Sequence, residues 1–490
     1  MYDVAIVGAG VIGASVAREL SRYAIKAVVL EKDSDVAMGS SKANSGLVHA
    51  GYDPVPGTLK AKYNMLGRQM FDELASQLDF PFKQNGALVI IKNEADLPAL
   101  ERLMVRGVTN GLRNLRIVRN NELHDLEPNL HSDACAAMLA PSAGITSPYE
   151  MVIALCENAA QNGTEFMLDC RVEGVSKEED HFCIQTTRGI VKARIVVNAA
   201  GVHSDEINNM LSAHKMTIVP RRGEYCLLDK SEGAMVKHTI FQLPTKMGKG
   251  VLVTPTADGN LLLGPTSHDI DDKDDVSTTK DGLDEVLTQS ATLLKHLPTS
   301  KIITSFSGLR SWHEEDEFII EEAPDVPGLV NLCGIDSPGL TAAPAIGLTA
   351  AEMVVKRLGA VKKDDFEPNR KGIRPFQSMT AEQRKAAIAE NPDYGQIICR
   401  CESVSKAEII AALRSPLGVN SLDAIKRRTR AGMGRCQGGF CWMRLLHIVA
   451  DECGINLMEV TKSGGQSNVL VNPNKSGFAK HTGGPADEKS

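Results

Sequence analysis

Along the first 360 positions, short apolar runs alternate with longer stretches of helical periodicity, and glycine, proline, asparagine and aspartate punctuate the joints. The runs Val4–Val7, Ala27–Leu30, Ala87–Ile91, Ile195–Asn198 and Leu329–Cys333 read as buried strands. Asp258-Gly259-Asn260, between Val251–Thr254 and Leu261–Leu263, reads as a hairpin turn. The pattern predicts an α/β protein. It changes at 361–395, where Lys362-Lys363-Asp364-Asp365 and several prolines predict a linker or a surface-hugging connection. A compact unit is expected over 396–460. The Gly-, Ser-, Asn- and Lys-rich tail, 461–490, is expected to be disordered.

The first strand runs into Gly8-Ala9-Gly10-Val11-Ile12-Gly13, and a helix is predicted from Ala14 to about Tyr23. In G-x-G-x-x-G, Gly8 permits the tight turn, Gly10 admits a pyrophosphate to the backbone, and Gly13 lets the helix pack closely. The N–H groups at that helix start then face the phosphates. Glu31, at the end of the second strand, suits the ribose hydroxyls; an acid there disfavours a 2′-phosphate. The motif alone does not separate NAD from FAD. Val196-Val197-Asn198-Ala199-Ala200-Gly201 could back an adenosine, and Gly334-Ile335-Asp336-Ser337-Pro338-Gly339-Leu340-Thr341 opens a second helix, Ala342 to Met353, toward a flavin. Either segment alone would also suit ordinary strand–turn–helix packing.

Net charge is −7 with both signs scattered, which argues against a nucleic-acid partner. No run of 18 apolar residues exists, so no transmembrane span is expected. The N-terminus enters a strand without the features of a secretory signal, and eleven cysteines then point to a reducing, cytoplasmic setting. Seven of them, Cys135, Cys156, Cys170, Cys183, Cys226, Cys333 and Cys453, read as small buried hydrophobes.

With the three dinucleotide segments, Ser40-Ser41-Lys42-Ala43-Asn44-Ser45-Gly46-Leu47-Val48-His49-Ala50-Gly51 and Ser307-Gly308-Leu309-Arg310 make residues 1–360 resemble the FAD-dependent D-amino-acid oxidase/glycerol-3-phosphate dehydrogenase superfamily. The resemblance implies a Rossmann-like FAD-binding domain with an interleaved α+β substrate domain, about 80–145 and 215–305. It implies FAD contacts from Gly8, Gly10, Gly13, Glu31, Lys32, Ser40, Ser41, Ser45, Ala200, Gly201, Gly308, Gly334, Gly339, Leu340 and Thr341. It also implies an active-site histidine, His49, and a substrate-anion arginine, Arg310. The chemistry agrees: an imidazole can take a hydroxyl proton while hydride leaves for the flavin. A guanidinium fork can clamp a carboxylate or phosphate, although a surface ion pair is the commoner fate of an arginine. Arg222 and Tyr225, in Pro220-Arg221-Arg222-Gly223-Glu224-Tyr225, are weaker substrate candidates. Ser40-Ser41-Lys42 is similar to the glycerol-3-phosphate enzymes, whereas Asn44–Tyr52 with Pro56–Lys62 is similar to the L-2-hydroxyglutarate oxidases.

Cys399-Arg400-Cys401 and Cys436-Gln437-Gly438-Gly439-Phe440-Cys441 stand 34 residues apart. Zinc ribbons favour C-x-x-C, whereas this spacing suits two irons held by two thiolates each, with glycine N–H groups turned to the sulfurs. Ser405 with Glu408 forms a capping box before Ile409–Leu413, and Ser421 can cap Leu422–Arg430. The segment 397–453 resembles the bacterioferritin-associated-ferredoxin-like 2Fe-2S domain, most specifically over Thr429–Gly438. Lys426-Arg427-Arg428-Arg430 reads as a solvated face or a dock for an acidic electron-transfer partner.

The order of the two regions resembles the A subunits of anaerobic glycerol-3-phosphate dehydrogenases. That implies a small anionic alcohol as substrate. Electrons would leave FAD through the 2Fe-2S cluster for a partner protein or subunit, which could hold the chain at the inner face of a membrane. L-2-hydroxyglutarate or another hydroxy acid is the alternative substrate. A flavin/iron–sulfur redox sensor without turnover is the alternative of another kind, though a sensor needs neither His49 nor Arg310. Amine oxidation would fit the superfamily but not the hydroxy-acid-like loop.

Overall fold

A computed structural model of the chain describes residues 1–244 and 250–472. It separates into two compact units, 1–372 and 373–490.

In the first unit the strand Tyr2–Val7 lies between Ala27–Leu30 and Gly189–Asn198, parallel to both. Glu165–Met167 extends this sheet on one side and Leu329–Cys333 on the other, again in parallel. The strands read as unbroken apolar runs because both of their faces are buried. Val11–Leu20, Pro148–Gln161 and Gly339–Leu358 pack together on one of them. At the first turn Gly8 has φ +101°, and a Cβ on Gly13 would lie 2.0 Å from the Gly8 carbonyl oxygen. Only glycines bring helix and strand so close.

A second sheet, with nine described strands, takes its members from 87–140 and 218–313. Its longest pair is Ile218–Leu228 against Ile302–His313, antiparallel, with Arg221 opposite Arg310 and Tyr225 opposite Phe306. The predicted hairpin is present: Leu252–Pro255 pairs with Leu261–Gly264, and Gly259 has φ +87°. The strand that carries Arg310 continues to His313, because the long partner strand keeps supplying hydrogen bonds.

Of the two expectations for 361–395, a linker or a surface-hugging connection, the second describes its first part. That part lies along the first unit: the Lys363 N–H donates to the Arg22 carbonyl (2.9 Å), and Arg370 pairs with Glu157 (2.7 Å). The rest belongs to the second unit, where Thr380 and Gln383 form a capping box for a helix, Ala381–Glu390. Polar composition was misleading because caps and ion pairs, not apolar burial, fix these residues. The tail expectation also needs correction over 461–472. The Leu422 and Asp423 N–H groups donate to the Thr461 and Lys462 carbonyls, so this stretch is tied to the start of a helix. The rest of that expectation, 473–490, lies outside the described residues.

The second unit packs three helices, Lys406–Leu413, Leu422–Thr429 and Trp442–Cys453, beside a short hairpin, Ile397–Cys399 with Val404–Ser405. Both expected caps are formed: Ser405 with Glu408 as a full box, and Ser421 on the Ala424 N–H.

Candidate flavin and cysteine sites

Glu31, just past the second strand, accepts the Ala9 N–H (2.7 Å) and the Asp33 N–H (3.0 Å). Burial, with Asp33 close by, raises its carboxyl to about 7. The helix Val11–Leu20 begins at Gly10 with no acid in its first turn. A Cβ on Gly10 would meet only the Ser41 hydroxyl, at 3.2 Å. A dinucleotide fits this arrangement: small backbone, a positive helix end and a buried acceptor at the end of the neighbouring strand. Ser41 takes a more local part than expected, accepting the Val11 N–H (2.9 Å). Lys32 stands at the surface beside Asp33 (3.4 Å).

The loop 40–51 is fixed along its length. Ser40 donates to the Leu309 carbonyl, and Asn44 donates to the Ser40 and Ser41 carbonyls (3.1 and 3.0 Å). A Cβ on Gly308 would sit 1.9 Å from the Ala43 carbonyl oxygen, so loop and strand touch backbone to backbone. His49 follows the short strand Leu47–Val48. Its N–H donates to Thr341 Oγ1 (2.9 Å), and its carbonyl accepts from Asn64 (3.1 Å). Its Nε2 lies 3.4 Å from Ser337 Oγ, in the Gly334–Thr341 segment. Ser337 as a side-chain partner was missed, though its segment was singled out for the flavin.

Alternation along the long strand pair puts Arg221, Gly223 and Tyr225 on one face with Phe306, Gly308 and Arg310. Gly223 leaves room for the guanidinium, since a Cβ there would be 2.8 Å from Arg310 Nη2. Arg310 donates to the Thr266 carbonyl (3.3 Å from each Nη) and touches the Tyr225 hydroxyl, which also bonds Ser45. Among the described residues no carboxylate pairs with Arg310. Burial raises the Tyr225 phenol, against the neighbouring Arg310. Arg222 is a correction: it sits on the opposite face, paired with Asp275 (2.9 Å) and 3.5 Å from the buried Glu224. A strand cannot send two adjacent residues to the same side.

In the second unit the sulfurs pair across the two segments. Cys401 Sγ and Cys436 Sγ are 3.6 Å apart, and Cys399 bonds Cys441. Two thiolates on one tetrahedral metal with bonds of about 2.3 Å would be about 3.8 Å apart. Among the described residues no three metal-binding side chains converge on one point. Two pairs, not a quartet, is what a two-iron cluster requires and a zinc ribbon does not. The Cys441 hydrogen bond, helped by the Gly432 and Glu402 N–H groups and opposed by burial, pulls the Cys399 thiol below its ordinary range. The Phe440 and Gly438 N–H groups point at Cys436.

The run Lys426–Arg430 is not a solvated face. Arg427 and Arg428 are buried, burial lowers the Lys426 ammonium, and Arg430 pairs with the buried Glu402 (2.8 Å). These long side chains contribute packing as well as charge.

Residues 3–353 match the family model described as FAD dependent oxidoreductase. The chain belongs to that family. Residues 397–451 match the BFD-like [2Fe-2S] binding domain. FAD is thus the cofactor of the first unit, and the second is a 2Fe-2S-binding domain. A glycerol 3-phosphate dehydrogenase of Caloramator mitchellensis is 44% identical over 97% of this chain and 99% of its own length. A glycerol 3-phosphate oxidase of Mycoplasma pneumoniae is 33% identical over 72% of this chain and 94% of its own. The solved structure of the L-alpha-glycerophosphate oxidase from that organism, with FAD bound, aligns with a TM-score of 0.73 at 31% identity, over 75% of this chain and 98% of its own. Among the described residues no helix is long and apolar enough to cross a membrane.

Proposed function

We propose that this flavoenzyme oxidises sn-glycerol 3-phosphate to dihydroxyacetone phosphate and delivers the electrons, through the second unit, to a partner protein. The observation that carries the reading is Arg310: a guanidinium with no carboxylate partner among the described residues, beside Tyr225, whose hydroxyl also bonds Ser45. Such a group suits a phosphate or carboxylate. The glycerol 3-phosphate relatives support phosphate, and the dehydrogenase among them matches through the cysteine segment as well.

Arg310 and Tyr225 hold the anionic end of the substrate. His49, kept in place by Thr341 and Asn64, accepts the proton of the secondary hydroxyl as the neighbouring C–H bond breaks, and Ser337 orients its Nε2. Bound FAD supplies the hydride acceptor, and the cluster a one-electron outlet. The partner is soluble or keeps the chain at the inner face of the membrane.

A second reading, L-2-hydroxyglutarate, draws on a mitochondrial L-2-hydroxyglutarate dehydrogenase of Arabidopsis thaliana, 29% identical over 70% of this chain. Anaerobic stopped-flow reduction separates the two. Glycerol 3-phosphate should bleach the flavin at low concentration; bleaching by L-2-hydroxyglutarate alone would overturn the proposal. Bleaching by neither would favour a sensor.

A further inference from the structure

Among the described residues, the second unit exposes several basic side chains close in sequence to its four grouped cysteines. Cys399 and Cys441 are buried, whereas Cys401 is exposed and Cys436 half-buried, so the second pair lies nearer solvent. From Arg430 to His447 the sequence holds no acid. Arg400, Arg435, Arg444 and His447 are exposed there. Phe440 is 85% exposed and Met443 55%. Met443, Arg444 and His447 share one side of the start of Trp442–Cys453, and Phe440 stands just before its cap, Cys441. Glu402, the acid next to Cys401 in sequence, is turned inward onto Arg430.

The charge of the whole unit points the same way. Residues 373–490 hold 16 Lys and Arg against 11 Asp and Glu, net +5, while 1–372 hold 38 against 50, net −12. Single exposed apolar side chains are ordinary. Here, though, an exposed aromatic ring and an exposed methionine flank Cys441 in sequence, and exposed arginines adjoin the cysteine segments at Arg400, Arg435 and Arg444. Aromatics, Met and Arg are the residues enriched in protein interfaces.

We propose that this face docks an electron-accepting protein whose own redox centre lies beneath an acidic rim. Phe440 and Met443 enter a small apolar depression on that protein, and Arg400, Arg435 and Arg444 meet its carboxylates. The proposal rests on the relay reading above. Each encounter moves one electron: the reduced cluster is oxidised by one, the acceptor's metal is reduced by one, and no proton moves. Two encounters clear the pair of electrons from one substrate molecule.

The test uses the full-length holoprotein, reduced anaerobically, and two high-potential probes of opposite charge: plastocyanin, acidic, and cytochrome c, basic. Stopped-flow absorbance reads cluster oxidation, and hydroxyl-radical footprinting with cuprous plastocyanin reads protection of Phe440 and Met443. In the wild type, oxidation by cupric plastocyanin should slow as salt rises, and both residues should be protected. The double variant Arg435→Glu/Arg444→Glu should lose about tenfold against plastocyanin and gain against cytochrome c. Phe440→Ser should lose several-fold with an unchanged salt slope. Iron and sulfide content establishes that each variant keeps its cluster, and the wild-type footprint stands even where a variant does not fold. Unchanged plastocyanin rates in cluster-replete variants, or protection elsewhere in the wild type, would overturn the docking surface. A wild-type cluster that dithionite reduces but substrate does not would instead overturn the relay.

Discussion

The two units assemble chemistry in opposite ways. In the flavin unit the candidate site is gathered from four distant places, around residues 45–49, 225, 310 and 337, and side chains from one place bond those of another. In the cysteine unit two short segments supply every ligand, and its basic run is spent on the interior. A substitution in the first should therefore damage one function while the fold and cofactor stay. A substitution among the second's ligands should remove the cofactor itself.

The sharpest break of this comparison is Cys436→Ser. Loss of one thiolate should abolish cluster binding and turnover with a protein acceptor, while substrate still bleaches the flavin within a few-fold of the normal rate and a small dye restores turnover. If a soluble, FAD-replete variant no longer bleaches, the cluster belongs to the chemical step. Next comes His49→Ala, expected to slow flavin reduction by roughly 10² to 10⁴ with normal FAD content. An unchanged reductive half-reaction would leave His49 purely structural. Arg310→Ala should cost about 2–5 kcal/mol in recognition of anionic substrates and anionic inhibitors alike, read as their dissociation constants. Equal affinities would remove the anion clamp.

Glu31 gives the smallest effect. Its carboxyl, raised to about 7 in the fold, binds its proton more tightly folded than unfolded. That contribution is whole below about pH 4.5 and disappears as pH rises through 7. Apoprotein stability should thus fall by up to about 3 kcal/mol across that window, in urea midpoints. Glu31→Gln should flatten the decline.

Much of the core was legible in the chain. Ala27–Leu30, Ala87–Ile91 and Leu329–Cys333 are strands at the residues where apolar runs lay, because fully buried strands need no alternation. The caps at Ser405 and Ser421 were legible too, being local. What sequence could not convey was direction. Arg222 and Tyr225 lie three apart, and only the strand pairing shows that they point to opposite sides. The Lys426–Arg430 run looked solvated because charge usually is. Its last residue, Arg430, meets its acid, Glu402, 28 residues away. Ser337 meets His49 across 288 positions, beyond any local pattern.

The crosswise pairing of sulfurs also bears on how the protein is made. Each pair takes one cysteine from 399–401 and one from 436–441. With one iron on each pair, neither iron would find both of its protein ligands while only the first segment has emerged from the ribosome. Maturation with iron and sulfide must wait for Cys436 and Cys441. By then residues 1–372 have long been synthesised, so the flavin unit can acquire its own cofactor first. Iron starvation should accordingly leave a pool of yellow, flavin-loaded chains that remain competent to receive a cluster later.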